Sequence, residues 1–147
     1  MDGDKTRRNT VDTIASKYKG AVKYVDECIG DLVATLQNHQ ILENTLIIIT
    51  SDHGESLTEH DMFFDHHGLY EVTTHVPLIF SNPMFFSQAK KIYGLVQHVD
   101  LVPTICDYLG INDKDFQSDG SSMRTLISGK EGDLRNVAFF EESYVQR

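Results

Sequence analysis

The sequence predicts an α/β fold with a predominantly parallel sheet and flanking helices. Thr45-Leu-Ile-Ile-Ile-Thr50 has no polar alternation after Thr45, the pattern of a strand buried on both faces. Ahead of it, Val22, Val25, Ile29, Leu32, Val33 and Leu36 recur at helical spacing. A long amphipathic helix feeding a buried strand is half of a crossover unit. The strand then stops at Ser51-Asp-His-Gly54, and in open α/β sheets binding residues collect beyond the carboxyl ends of strands.

Residues 1 to 13 are assigned as a flexible lead-in, because Met1 to Asn9 is charged and has no apolar residue after Met1. The helix is expected over about residues 14 to 38, with Gly20 and Gly30 as weak points or close-packing positions. Asn38 to Gln40 and Glu43-Asn44 bracket a short connection into the strand at 45–50. Residues 54 to 69 are polar and histidine-rich, an excursion over the strand ends, and Tyr70 to Thr74 suits a short helix. His75-Val-Pro-Leu-Ile-Phe80 reads as a second strand, with Pro77 near its start where a missing donor is tolerated. Ile92 to Val96 suggests a third, edge strand, and Val137 to Phe140 a last short one. Between them, Asp100 to Gly110 is a helix with Asp100 as N-cap, Pro103 in the first turn and Gly110 as the stop. Asp119 to Ser122 is a turn. The strands at 45–50 and 76–80 are expected in one predominantly parallel sheet, with the first helix packed on it through Val25, Ile29 and Leu32. Two helices are thin cover for such a sheet, which suggests a piece of something larger.

At 147 residues and 40% hydrophobic content, one domain with a core is expected. A formal charge of −9 and the lack of a basic cluster argue against a nucleic-acid partner. No apolar run approaches the roughly 20 residues of a membrane helix, and the polar start lacks a signal-peptide core. A cytoplasmic location is the default expectation. Cys28 and Cys106 lack metal spacing and read as core thiols.

The chemistry gathers after the strand. Asp52 and His53 offer a carboxylate and an imidazole at a turn where Gly54 lets both reach one ion. An oxygen-rich remainder would favour Ca²⁺ or Mg²⁺, and several histidines would favour Zn²⁺ or Mn²⁺. The alternative is structural, with Asp52 capping the turn and His53 packed beside it. His60, His66 and His67 follow closely; a neutral imidazole ligates metal, and a protonated one holds an anion or protonates a leaving oxygen, the alternative being a polar loop whose histidines are surface or supporting groups. Asp61, Asp65, Glu55 and Glu59 read as loop carboxylates rather than general bases, with Glu55 also able to orient His53. His75 and His98 read as hydrogen-bonded structural residues. No glycine-rich phosphate loop, serine nucleophile elbow or C-x-x-C pair is present.

Taken in order, Val25 to Leu32, Asn44 to Glu55, Glu59-His60, His67 to Glu71, Val76 to Ile79 and His98 to Ile105 resemble the sulfatase family. Asp119-Gly-Ser121 and Gly129 continue the pattern, so the resemblance covers roughly residues 14 to 142. It implies that residues 14 to 147 are the carboxyl-side part of an alkaline-phosphatase/sulfatase-like catalytic domain. The parent activity is hydrolysis of sulfate monoesters with one divalent cation, usually calcium, holding the sulfate. Asp52 and His53 match the family's later pair of metal-binding positions. His66, with His67 the close alternative, falls at the catalytic position where many relatives carry a lysine.

The family's nucleophile is a formylglycine made from the Cys or Ser of a Cys/Ser-x-Pro-x-Arg motif. Only Ser81-Asn-Pro-Met-Phe85 begins that pattern, and Phe85 stands where arginine is required. The chain alone is therefore expected to be inactive, with a sulfate-ester substrate bound only by the complete enzyme. Two further readings remain: a phosphate- or phosphonate-ester hydrolase fragment, and a non-catalytic interaction domain of the same fold. Apolar surface left uncovered is expected to lead to a homodimer, association with the missing half, or marginal stability.

Overall fold

The computed structural model describes residues 2–61, 64–112, 118–130 and 134–141, with side chains from Thr10 onward and without that of Asp61. The Asp61 carboxylate considered above thus lies outside the described side chains. Two compact units divide the chain, Met1–Gln88 with Glu142–Arg147, and Ala89–Glu141.

In the first unit, helix α1 spans Asp2–Asn38 rather than starting near residue 14. Helix formation needs no apolar face where propensity suffices. The helix ends in a left-handed closure: Gln40 has φ of 57°, and the Ile41 amide donates to the Leu36 carbonyl at 3.0 Å. The expected packing through Val25 and Leu32 is not found, since they are 55% and 53% exposed. Ile29 alone of the three is half-buried. Dimensions explain the mismatch. A helix of 37 residues extends about 56 Å, whereas four-residue strands run only about 13 Å. Cys28, on the same helix, is exposed rather than a core thiol, while Cys106 is buried.

Strand β1 (Ile47–Thr50) pairs with strand β2 (Leu78–Ser81) in an antiparallel, two-stranded sheet, Ile47 opposite Ser81 and Thr50 opposite Leu78. The parallel arrangement expected from the apolar run is corrected by the connection. Parallel neighbours need a crossover of a dozen or more residues, usually a helix across the sheet. Among its described residues, the intervening chain has the length but no long crossover helix, holding a 3₁₀ turn at Glu59–Asp61 and the four-residue helix α2, Glu71–Thr74. It folds back on itself instead. Burial on both faces is likewise not reached: Ile47 is 9% exposed, Ile48 and Ile49 are half-buried, and Thr50 is exposed. Asn82 fixes the register from the end of β2. Its Nδ2 donates to the carbonyls of Glu43 and Thr45, both at 2.9 Å, while its Oδ1 accepts from the Met84 and Phe85 amides at 2.8 and 2.9 Å.

The second unit is built around helix α3, Leu101–Leu109, and the short helix α4, Arg124–Ile127. Gly110 stops α3 as expected, with φ of 67° and the Ile111 amide on the Cys106 carbonyl at 2.8 Å. Asp100 does not cap α3 directly. It closes a 3₁₀ turn, His98–Asp100, whose N-cap is Gln97: the Gln97 amide donates to Asp100 Oδ2 at 2.8 Å. The strand expected at Ile92 to Val96 is absent, and so is the one at Val137 to Phe140. The backbone of Phe139 is engaged by a side chain instead, with Gln97 Nε2 donating to its carbonyl at 2.7 Å.

Among the described residues, no helix is long and apolar enough to cross a membrane. Among the described residues the buried apolar side chains are few (Ile47, Cys106 and Met123), while Val22, Val25 and Leu32 are more than half exposed. The isolated chain is therefore expected to bind a hydrophobic dye and to unfold broadly below about 45 °C, the low end for ordinary domains. A sharp calorimetric transition above about 65 °C without dye binding would count against this.

Candidate functional site

The site begins where β1 runs out. Ser51 Oγ donates to the His53 carbonyl at 2.7 Å, and the His53 amide donates to Asp52 Oδ1 at 3.0 Å. That amide, the charge of the His53 ring and the Ser51 hydroxyl hold the Asp52 carboxyl below its ordinary pKa. His53 Nδ1 lies 2.8 Å from the Gly54 carbonyl. A carbonyl can only accept, so Nδ1 carries the proton, and in the neutral ring Nε2 keeps the lone pair. Asp52 Oδ2 is 3.7 Å from that Nε2.

Gly54 ties this turn to α2. Its amide donates to the Thr73 carbonyl at 2.8 Å, and a Cβ on it would sit 2.0 Å from the Val72 carbonyl oxygen. Gly54→Ala is expected to destabilise the chain by roughly 3 kcal/mol, since backbone rather than a flexible side chain must yield. The check is a urea melt, with a change below about 1 kcal/mol contradicting the tight contact.

Past Gly54 the chain doubles back. Ser56 and Asp65 form an antiparallel bridge, with amide-to-carbonyl distances of 2.8 and 3.2 Å. In antiparallel register this places Glu55 opposite His66, a pair whose side chains share a face. Glu55 Oε2 indeed lies 3.7 Å from His66 Nδ1. His53 is two positions before Glu55, the spacing that returns to the same face of extended chain, and its ring stacks on His66 with centroids 4.3 Å apart. One ligand atom from each of His53, Glu55 and His66 therefore lies within 4.8 Å of the others.

The neighbouring polar residues serve the loop. Ser56 is fully buried and its Oγ donates to the Glu59 carbonyl at 2.9 Å. Glu59 Oε2 accepts from the Thr58 and Leu57 amides at 3.0 and 2.9 Å, which lowers its pKa. Asp65 Oδ1 accepts from the His67 and His66 amides at 3.2 and 2.8 Å, and its pKa is lowered by them, the His67 amide first. His67 leans toward this carboxylate, Nε2 to Oδ1 being 3.8 Å, with its ring 5.1 Å from that of His66. His60 stacks on Tyr70 at 4.2 Å, and His75 pairs with Glu71 at 3.3 Å. His98 belongs to the second unit.

Of the residues singled out from sequence, Asp52 thus lies beside His53, His53 stacks on His66, and His67 stands at the margin. Glu55 sits against His66 rather than orienting His53. Only the register at Ser56 and Asp65 reveals that partner.

The comparisons with known proteins follow the same residues. Residues 2–111 match the sequence profile of the family described as Sulfatase. Arylsulfatase K of Mus musculus is 29% identical over 141 residues, covering 96% of this chain and 25% of that protein. Delta 4,5-hexuronate-2-O-sulfatase of Bacteroides thetaiotaomicron is 33% identical over 96 residues, covering 64% of this chain and 20% of that protein. A solved structure of phosphonate monoester hydrolase of Agrobacterium radiobacter superposes with a TM-score of 0.66 at 31% identity, over 74% of this chain and 21% of that one. A protein solved with its substrate D-glucosamine-2-N,6-O-disulfate gives a TM-score of 0.63 at 36% identity, over 71% of this chain and 21% of that one. The chain spans a quarter or less of the length of these relatives. With the profile matched over most of its length, the chain belongs to the sulfatase family.

Proposed function

We propose that this chain supplies the cation- and ester-facing loop of a sulfate-monoester hydrolase. The observation that carries the reading is the placement of Asp52 against His53, and of His53 on the His66 ring, just beyond β1. An exposed carboxylate whose pKa is lowered, beside an imidazole whose neutral form presents Nε2, is a donor set that fits a divalent cation. Asp52 and His53 would hold it, with Ca²⁺ the expected ion and Mg²⁺, Mn²⁺ or Zn²⁺ the alternatives. When bound, such an ion offsets the anionic charge of the ester and polarises its oxygens.

His66 is the residue of this loop placed to meet the ester. In its protonated form it would hold a sulfate oxygen or give a proton to the departing alkoxide. His67, turned toward Asp65, is the less favoured candidate. Ser51, through its bond to the His53 carbonyl, keeps the turn in shape. An attacking group is the missing part, since the 147 residues contain no Cys/Ser-x-Pro-x-Arg. On this reading a formylglycine and the remaining cation ligands come from polypeptide beyond these residues.

The structural likeness to a phosphonate monoester hydrolase favours a second reading, hydrolysis of phosphonate or phosphate esters. The two separate in one experiment. Joined to a sulfatase amino-terminal half with a matured nucleophile, the rebuilt domain should hydrolyse p-nitrophenyl sulfate in preference to a p-nitrophenyl phosphonate. A folded, metal-loaded hybrid that turned over only the phosphonate would overturn the sulfate reading.

A further inference from the structure

We infer that His53, Glu55 and His66 form a transition-metal site of their own, distinct from the Asp52–His53 pair proposed for the sulfatase-type cation. Two imidazole nitrogens and one carboxylate oxygen within 4.8 Å are a donor set suited to Zn²⁺ or Co²⁺ rather than Ca²⁺, which prefers oxygen throughout. Backbone hydrogen bonding already prepares it. The Gly54 carbonyl 2.8 Å from His53 Nδ1 fixes the tautomer that presents Nε2, an arrangement typical of metal-bound histidines. The Ser56–Asp65 bridge holds Glu55 and His66 face to face without using either side chain.

Ligand atoms around tetrahedral zinc stand about 3.4 Å apart, given Zn–N distances near 2.0–2.1 Å. The cluster must therefore contract by side-chain rotation. The His53 and His66 side chains are 44% and 49% exposed, so the two rings, stacked on each other, have room to turn out of that contact toward one ion. Asp52 is not one of the three ligands. The cluster of ligand atoms within 4.8 Å is His53, Glu55 and His66; Asp52 meets only its His53 member, by Oδ2 at 3.7 Å.

The site has a regulatory consequence, and this part alone rests on the function proposed above. An ion here takes His53 from the sulfatase-type cation pair and His66 from the ester. Zn²⁺ would thus inhibit a complete domain by competing with its cation, while binding itself requires no nucleophile.

The test uses the untagged chain, which need not be active. Zn²⁺ affinity is read by competition with a chromophoric chelator, and Co²⁺ is followed by its visible absorption. One equivalent of either ion should bind, and Glu55→Gln and His66→Ala should each weaken Zn²⁺ at least about tenfold. Asp52→Asn and His67→Ala should change it by less than about threefold. Far-UV circular dichroism checks each variant, and His66→Asn replaces His66→Ala if the latter unfolds. Zn²⁺ binding that is absent, indifferent to Glu55→Gln and His66→Asn, or lost equally on Asp52→Asn would overturn the site. None of these readings depends on ester hydrolysis, so failure here leaves the sulfatase-type function standing. Failure of that function equally leaves zinc binding to be measured.

Discussion

Asp100→Ala is expected to destabilise the Ala89–Glu141 unit by about 3–5 kcal/mol, the usual effect of removing one partner from a buried ion pair. The Asp100 side chain is fully buried and that of Arg135 is 19% exposed. Arg135 Nη2 donates to Asp100 Oδ1, which also accepts the Ser121 amide at 2.9 Å. Asp100 Oδ2 accepts the Gln97 amide at 2.8 Å, and Arg135 Nη1 donates to Gln97 Oε1 at 2.6 Å. Truncation leaves a mostly buried guanidinium and two amides without their acceptor. Asp100→Asn keeps the shape and one carbonyl acceptor, so a smaller loss of about 1–2 kcal/mol is expected. Urea unfolding of the full chain, followed by exchange of the Ser121 amide, provides the measurement. A loss below about 1 kcal/mol for Asp100→Ala would show that the pair does not hold this unit together.

The second large effect concerns chemistry in a rebuilt domain. Asp52→Ala is expected to lower kcat/KM for an aryl sulfate at least about 10²-fold, since changes merely supporting a metal ligand already lower affinity or activity about 10–100-fold. That ratio corresponds to about 2.7 kcal/mol of transition-state stabilisation. His66→Ala should act mainly on kcat if it serves the leaving oxygen, while His67→Ala should have the weaker effect. Equal activity of Asp52→Ala and the parent, across a titration with Ca²⁺, would remove Asp52 from the cation site. A larger loss at His67 than at His66 would exchange their roles.

What the sequence disclosed was local. The strand at 47–50, the helix stop at Gly110 and the turn carrying Asp52 and His53 all depend on neighbouring residues. Propensity, capping and glycine's freedom at φ of 67° are readable there. The direction of β2 was not, because a run such as Leu78-Ile-Phe80 packs equally well in either sense. The intervening loop decides it. Nor could periodicity show that Val25 and Leu32 of α1 lack a surface to cover, since amphipathic spacing reports a face and not its partner. Glu55 found His66 through a bridge one residue further on at Ser56. Asp100 and Arg135 meet across 35 positions of sequence, with no local pattern to announce them.

On the proposed function, these residues carry the cation- and ester-facing loop of a sulfatase without an attacking group. The direct measurement is turnover of aryl sulfate and phosphate esters by the purified chain, supplemented in turn with Ca²⁺, Mg²⁺, Mn²⁺ and Zn²⁺. Asp52→Ala, purified in parallel, controls for contaminating hydrolases. A bound ion polarises the ester, but rate enhancement also requires a positioned nucleophile, so turnover should be indistinguishable from that of Asp52→Ala. Robust hydrolysis by the parent chain, abolished by Asp52→Ala, would contradict the claim and show that the 147 residues hold a complete active site.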